Sequence, residues 1–134
     1  GWQDALERKH IEPAEPLEGD WSANSGYEAG RYLAEHDRTM TAIYAANDQM
    51  ANGAIAALRD SGLCVPEDVS VVGVDDSLGD IVPDRRLATV RFDNKRVGMW
   101  AVDKIAGAEG VEPGVEHMLI PGMLVEGDTV RDLR

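Results

Sequence analysis

Two hydrogen-bonding side chains stand where apolar stretches of the sequence end. Asn47 follows the run Thr41–Ala46, and Asp75 follows the β-branched run Val69–Val74. A carboxylate accepts hydrogen bonds from two hydroxyl groups, and an amide both donates and accepts. The pair is therefore suited to a neutral ligand rich in hydroxyl groups. Trp21 would add an aromatic surface that stacks on the apolar face of a sugar ring.

Each of these residues also has a purely structural interpretation. Asn47 is a good helix N-cap, and Asp75 can cap the turn that follows its strand. An isolated tryptophan such as Trp21 is most often an anchor in a core or an interface. The sequence pattern alone leaves both interpretations open for all three residues.

The elements that must position these residues follow from hydrophobic periodicity. Apolar residues recur at helical spacing after Asn47, and Gly62 ends that helix. A strand, a helix and a second strand within about 35 residues form a βαβ unit. The second strand, Val69–Val74, is apolar on both faces, as a parallel sheet covered by helices requires. We therefore predict an α/β fold with a Rossmann-like parallel sheet flanked by helices, whose ligands bind at the carboxyl ends of the strands.

Further elements are predicted on either side of this unit. Gly1–His10 has the pattern of a helix, and a second helix begins at Ser22 or Asn24 and ends near Glu35. We expect the second helix to bury these residues: Tyr27, Gly30, the stem of Arg31, and Leu33 or Ala34. A strand at 87–91 leads to a helix that begins at Asp93 or Asn94 and groups Val97, Trp100, Ala101 and Ile105 on one face. A terminal strand over 117–120 and 123–125 is interrupted at Pro121 and Gly122.

The composition narrows the function of the chain. Its 134 residues include 25 acidic and 13 basic residues, for a net charge of -12, and one cysteine, Cys64. Nucleic acids and acidic membranes bind mainly through Lys and Arg, so the charge argues against both as partners of this segment. A single cysteine cannot form an internal disulfide, which favours a reducing compartment.

Other chemistries lack the residues that they need. The three histidines are far apart and Cys64 has no partner, so we expect no zinc site. The aspartates from Asp75 to Asp84 lack the closing Glu of a calcium loop, and no phosphate-binding loop or nucleophile elbow is present. The Asp75-Asp76 pair also suggests a phospho-receiver domain, but no lysine ends the last strand. We therefore expect neither catalysis nor a cofactor.

Three stretches of the sequence resemble one known family. They are Thr41–Ala51 (TAIYAANDQMA), Val65–Asp76 (VPEDVSVVGVDD) and Leu87–Val90 (LATV). Together they look like the effector-binding domain of the LacI/GalR family, and the first two motifs form a highly specific pair. The resemblance covers the chain from Glu12 to its C-terminus.

The resemblance implies a periplasmic-binding-protein-like (type I) domain of two α/β lobes, with an effector in the cleft. About residues 1–90 and 115–134 would form the C-terminal lobe, and about residues 91–114 would return to the N-terminal lobe. The helix-turn-helix domain of the family would lie upstream. We therefore expect residues 1–134 to be a fragment of the effector-binding domain, without the DNA-binding head.

By position, the resemblance assigns ligand contacts to four residues. Trp21 would stack on the effector, Asn47 and Asp75 would bind sugar hydroxyls, and Phe92 would line the floor of the cleft. Phe92 stands where the family can have a polar side chain, so the identity of the sugar stays open.

The resemblance also assigns a dimer interface. It would consist of the face of the helix after Asn47 that carries Asn52, Ile55 and Ala56, together with the loop that contains Pro83. The alternative is ordinary packing against the sheet for Ile55 and exposure to solvent for Asn52. Asn52 replaces a residue that is usually apolar, which would soften the contact.

The predicted function is the ligand-sensing and dimerisation part of a cytoplasmic, bacterial LacI-type transcriptional repressor. Its partners would be a small sugar-like effector, one or more further copies of the chain, and operator DNA contacted through the missing head. The alternative is a periplasmic sugar-binding receptor of a transport system, which shares the fold. A third class, an enzyme, would need an acid/base or nucleophile constellation that we do not find.

Overall fold

The computed structural model describes residues 1–78, 86–106 and 119–132 of the chain. Within these ranges, the elements include the strand–helix–strand succession of an α/β fold. In chain order the elements are α1 Trp2–Glu7, α2 Ala23–His36, β1 Ala42–Tyr44, α3 Asp48–Asp60, β2 Ser70–Val74, β3 Ala88–Arg91, α4 Asn94–Ala106 and β4 Met123–Val125.

The strands form one mixed sheet in the order β1-β2-β3-β4. The parallel pairing of β1 with β2 aligns Tyr44 with Val72, and the parallel pairing of β2 with β3 aligns Val72 with Ala88. These pairings confirm the predicted βαβ unit. β4 runs antiparallel to β3, so the sheet departs from an all-parallel one at this edge strand.

Helices α2 and α3 begin where their capping residues predict. The Ser22 hydroxyl accepts a hydrogen bond from the Ser25 N–H at 3.1 Å, and the Asn47 side chain accepts one from the Met50 N–H at 2.8 Å. Gly62, with a φ of 78°, follows the end of α3 in the left-handed conformation that glycine favours. Local capping therefore determines the residue at which each of the two helices begins.

The core lies between one face of the sheet and the pair α2 and α3. The two helices approach closely because small residues line their contact, among them Gly26 and Gly30 on α2 and Gly53 on α3. The buried core cluster consists of Ala34, Ala45, Ala51, Ile55, Leu58, Val65, Val69 and Val71. On the other face of the sheet, Val72 and Val74 are only half-buried against the described residues.

The predicted buried face of α2 is confirmed at Gly30 and Ala34, whereas Tyr27 and Leu33 are half-buried. The stem of Arg31 was wrongly expected to be buried. Its guanidinium pairs with Glu28 and Glu35 along the exposed side of the helix, at 3.0 and 3.3 Å. The side chain is drawn away from the core as a result.

The apolar residues of α4 form no core within the described part of the chain. None of its residues is buried there, and the side chain of Ile105 is 88% exposed. Trp100 is half-buried, and the Lys104 ammonium lies 6.0 Å from the centre of its ring. Most of the apolar face predicted from Val97 to Ile105 is therefore accessible to solvent in the described structure.

The C-terminal segment after β4 is inserted between the amino ends of the two central strands. Thr129 is buried, and its hydroxyl donates to the Val71 carbonyl at 2.7 Å and accepts from the Ala88 N–H at 3.0 Å. Its own carbonyl accepts from the Val71 N–H. The terminal strand is shorter than predicted, because Leu119 and Ile120 lie outside β4 and residues 117 and 118 lie outside the described residues.

None of the helices in the described ranges combines the length and the apolar content that crossing a bilayer would require.

We expect Gly53→Ala to destabilise the chain, because the added Cβ would lie 1.9 Å from the Ala23 carbonyl oxygen on α2. Overpacking of this kind costs about 1–3 kcal/mol in the free energy of unfolding. Gly98→Ala is the matched control, since it lies mid-helix in α4 with no atom within 4 Å of the new Cβ. That change should stabilise the chain by up to about 1 kcal/mol. Urea unfolding of both variants tests the close approach of α2 and α3, and equal effects would contradict it.

Candidate functional site

Asn47 and Asp75 lie at the same edge of the sheet. Their strands are parallel neighbours with Tyr44 aligned to Val72, and each of the two polar residues comes three positions after its member of that pair. The carboxyl ends of parallel strands are where ligands bind in open α/β sheets. The juxtaposition predicted from the sequence is therefore present in the fold.

Asn47 caps α3 and also holds the chain at Trp21. Its Oδ1 accepts from the Met50 N–H at 2.8 Å, and its Nδ2 donates to the Trp21 carbonyl at 2.9 Å. The capping role offered as the structural alternative is thus confirmed. An amide has two donor hydrogens and two acceptor lone pairs, so one of each is left for a ligand.

Trp21 has an exposed ring, and its backbone carbonyl is bonded to Asn47. The side chain is 63% exposed and the backbone has a φ of 71°, a left-handed conformation that is rare for a bulky residue. Asp20 stabilises this turn by accepting from the Ser22 N–H and hydroxyl. Hydrogen bonds from Ser22, and then from Ser25, lower the pKa of Asp20 to about 2, so it is ionised at neutral pH.

The residues after β2 form a strained turn that carries Asp75. The φ angles of Asp75 and Asp76 are 96° and 54°, and such conformations cost about 1–3 kcal/mol each in non-glycine residues. The Asp75 N–H donates to the Val90 carbonyl at 2.9 Å, and the Asp75 carboxylate accepts from the Ser77 N–H at 2.9 Å. The Asp76 carboxylate pairs with the Arg91 guanidinium. Both aspartates are half-buried at the edge of the sheet.

A third carboxylate, Asp48, lies buried behind this turn and was missed by the sequence analysis. Its side chain accepts from the Thr89 hydroxyl at 2.6 Å and from the Ser77 N–H at 2.9 Å, and the residue is 1% exposed. Burial raises the pKa of Asp48, and the charges of Asp75 and Asp76 raise it further, whereas the Thr89 hydrogen bond acts in the opposite direction.

The signal that could have revealed Asp48 is a glycine. Gly73 interrupts an otherwise β-branched strand, and a Cβ at this position would lie 2.3 Å from the Asp48 Oδ1. A glycine inside a strand often marks the close approach of another group. Here that group is the buried carboxylate.

Phe92 follows β3, the next strand along the same edge. Its side chain is 43% exposed, and its ring lies over Gly122 at the start of the antiparallel edge strand. Phe92 therefore borders the side of the edge that is nearer β4, whereas Trp21 and Asn47 stand beside β1. The four predicted ligand residues share one edge but do not all touch one another in the described contacts.

The residues predicted for a dimer interface separate into two groups. Asn52 and Ala56 are exposed on the outer face of α3, whereas Ile55 is 8% exposed and belongs to the core cluster. The structure therefore agrees with the alternative stated for Ile55, in which its side chain packs in the core. Pro83 lies outside the described residues.

Chemically, this edge offers carboxylate and amide hydrogen-bonding groups beside an exposed indole. Within the described ranges, no three His, Cys, Asp or Glu side chains are grouped so that they could hold a metal ion. The arrangement is suited to the recognition of hydroxyl groups on a ligand with an apolar face.

The chain is similar to proteins of one family over almost its whole length. The model of the periplasmic-binding-protein-like domain matches residues 1–130. The lactose operon repressor of Escherichia coli (strain K12) is 36% identical over 129 residues, which are 96% of this chain and 36% of that repressor. The chain thus spans about a third of the length of this curated relative.

Solved structures agree with this similarity. The Lac repressor dimer bound to operator and the anti-inducer ONPF superposes with a TM-score of 0.84 at 36% identity, over 97% of this chain and 46% of that one. A LacI-family regulator from Arthrobacter sp. FB24 in complex with lactose gives 0.78 at 30% identity, over 96% of this chain and 48% of that one.

The raised pKa of Asp48 predicts how stability depends on pH. Because the folded chain binds this proton more tightly than the unfolded chain, the associated stability is complete below the unfolded value of 3.8 and is lost as the pH rises through the folded pKa. Asp48→Asn lacks this titration. The free energy of unfolding of the wild type, relative to that of Asp48→Asn, should therefore decrease as the pH rises from 3.8 towards neutrality. Urea unfolding at a series of pH values tests this, and a constant or rising difference would contradict it.

Proposed function

The chain belongs to the periplasmic-binding-protein-like family, among the LacI/GalR regulators, and we propose that it senses a small sugar-like effector for a bacterial transcriptional repressor. The observation that carries this proposal is the edge of the sheet where Asn47 and Asp75 follow neighbouring parallel strands and Asn47 binds the backbone carbonyl of Trp21, whose ring is exposed. Two of them are rigidly held: Asn47 by its helix cap and Asp75 by its strained turn. Pre-ordered hydrogen-bonding groups bind a polyol with little loss of conformational entropy.

The effector would lie against this edge with one ring face on the indole of Trp21. Asp75 would accept hydrogen bonds from hydroxyl groups through the lone pairs not used by the Ser77 N–H. Asn47 would contribute its remaining amide hydrogen and lone pair. Phe92 would replace a polar contact with an apolar one, which favours a ligand with an apolar substituent on that side.

The second lobe of the cleft would be supplied by chain outside residues 1–134, with residues 91–114 returning to it. The support for this is α4, whose apolar residues Val97, Met99, Val102 and Ile105 are all more than two-fifths exposed. A helix with so much apolar surface needs a covering partner. Packing against an N-terminal lobe would bury this surface and close the ligand site from above.

Operator DNA would be contacted through a helix-turn-helix head, not through these residues. A net charge of -12 repels the phosphate backbone, so the basic surface that binds DNA must lie elsewhere in the protein. The protein would act in the cytoplasm, where its operator is. Effector binding would favour one orientation of the two lobes, and this differential affinity would change the spacing of the heads.

Dimerisation would use the outer face of α3. Asn52 and Ala56 are exposed there, whereas Ile55 supports the helix from the core side. The segment that contains Pro83 would extend the contact. A symmetric pair would present two heads to the two halves of a palindromic operator.

The alternative raised by the sequence, a sugar-binding receptor of a transport system, shares this fold. The relatives described above are a repressor and a regulator of transcription, which favours the repressor.

We expect Asp75→Asn to weaken the binding of lactose to the complete protein by about tenfold to a hundredfold, the loss typical of a hydrogen bond to a charged group. The fold should survive because the amide oxygen can still accept from the Ser77 N–H. Asp37→Asn is the matched control: it removes the same charge at the C-cap of α2, at the opposite end of the sheet. Titration calorimetry with lactose measures both variants, and equal affinities for Asp75→Asn and the wild type would refute the assignment.

Stacking on Trp21 predicts a fluorescence response. With Trp2 and Trp100 replaced by phenylalanine, saturating lactose should shift or quench the emission of Trp21, because the exposed indole would lose contact with water. The reciprocal variant, which keeps Trp2 and Trp100 but carries Trp21→Phe, should respond much less. A silent Trp21 under conditions where calorimetry detects binding would count against stacking.

A further inference from the structure

We propose that Asp48, through Thr89 and Ser77, is the positioning residue that holds the turn of Asp75 in its ligand-binding form. The inference rests on the proposed function, because it assigns Asp48 a role towards the ligand group Asp75. Asp48 itself is 1% exposed, so it cannot contact a ligand directly. Its role must be exerted through the groups that it binds.

Three consecutive N–H groups of the turn are each hydrogen-bonded. Asp75 donates to the Val90 carbonyl at 2.9 Å, and Asp76 donates to the Thr89 hydroxyl at 3.3 Å. The Ser77 N–H donates to the Asp48 Oδ2 at 2.9 Å. Asp48 thus anchors the third group directly. Asp48 also orients the acceptor of the Asp76 N–H group. Because the Thr89 hydroxyl donates its hydrogen to the Asp48 Oδ1, its lone pairs are left to accept from Asp76.

These anchors are needed because the turn is strained. Asp75 and Asp76 both have positive φ angles, and a free chain of non-glycine residues would leave that conformation. The Ser77 N–H also bonds the Asp75 carboxylate at 2.9 Å, so a shift of Ser77 would change the direction of the ligand group itself. Asp48 and Asp75 therefore accept hydrogen bonds from the same donor, the Ser77 N–H, and this shared donor links the two carboxylates.

A carboxylate fits this position better than any other side chain. Asp48 must accept from a hydroxyl and from an N–H at the same time, and two separate acceptor oxygens are required for that geometry. An asparagine whose oxygen accepts from the Ser77 N–H would turn its NH2 group towards Thr89, so the Thr89 hydroxyl hydrogen would lose its acceptor. The space for the second oxygen exists only because residue 73 is a glycine.

The test uses variants of Thr89 in the complete protein. Thr89→Val removes the hydroxyl that links Asp48 to Asp76, whereas Thr89→Ser keeps it and removes only a methyl group. Thr41→Val, at an exposed threonine just before β1, is the control for the same substitution elsewhere. Two quantities are measured for each variant: deuterium exchange of a peptide spanning residues 74–78, and the affinity for lactose by calorimetry.

We expect Thr89→Val and Asp48→Asn to raise the exchange rate of the turn and to weaken lactose binding, each by about tenfold, as for the loss of one buried hydrogen bond. Thr89→Ser and Thr41→Val should retain both wild-type values. Exchange of a peptide from α2 should not change in any variant, which separates a local effect from global unfolding.

The outcomes distinguish this inference from the proposed function. Normal exchange at residues 74–78 in both Thr89→Val and Asp48→Asn would overturn the positioning role, and so would equal damage by Thr89→Ser and Thr89→Val. A wild-type protein that does not bind lactose, but whose turn loosens in Thr89→Val and not in Thr89→Ser, would refute lactose as the effector and keep the positioning of the turn. If a variant does not fold, the Thr89→Ser comparison and the remaining variant still decide the question.

Discussion

The carboxylate of Asp48 is the contact on which the candidate site depends. It begins α3, yet its oxygens bind Ser77 after β2 and Thr89 in β3, which are 29 and 41 residues away along the chain. Burial of an ionised group is unfavourable, and two hydrogen bonds to the charge offset part of that cost. Asp48 therefore links three elements: the N-terminus of α3, the strained turn after β2 and the strand β3.

A second buried hydroxyl holds the opposite ends of the same strands. Thr129 bridges the Val71 carbonyl and the Ala88 N–H where β2 and β3 begin. At the other end, Thr89 and Asp48 accept from the Asp76 and Ser77 N–H groups of the turn that follows β2. Buried hydroxyl groups therefore hold the central pair of strands at both ends, and the turn that carries Asp75 is bonded at the carboxyl end.

The sequence allowed the central part of this fold to be predicted because the determining interactions there are local. Ser22 and Asn47 bond to N–H groups three residues away, and the apolar run before Asp75 specifies a buried strand wherever it pairs. Asp48 could not be recognised in the same way, because an acidic residue in the first turn of a helix is ordinary and its partners are distant in sequence. The exposure of Arg31 was missed since its periodicity places it near the core, whereas its two glutamate partners draw it outward.

The double use of Asn47 links the ligand edge to α3. The same amide that caps this helix is proposed to bind the effector, so a ligand that pulls on Asn47 acts on the first turn of α3 and, through the Trp21 carbonyl, on the entry to α2. Because α2 and α3 pack with glycines in contact, they form one closely packed layer. The exposed face of α3, with Asn52 and Ala56, belongs to that layer. A dimer contact at this face would therefore lie on the same helix that the proposed ligand group Asn47 caps.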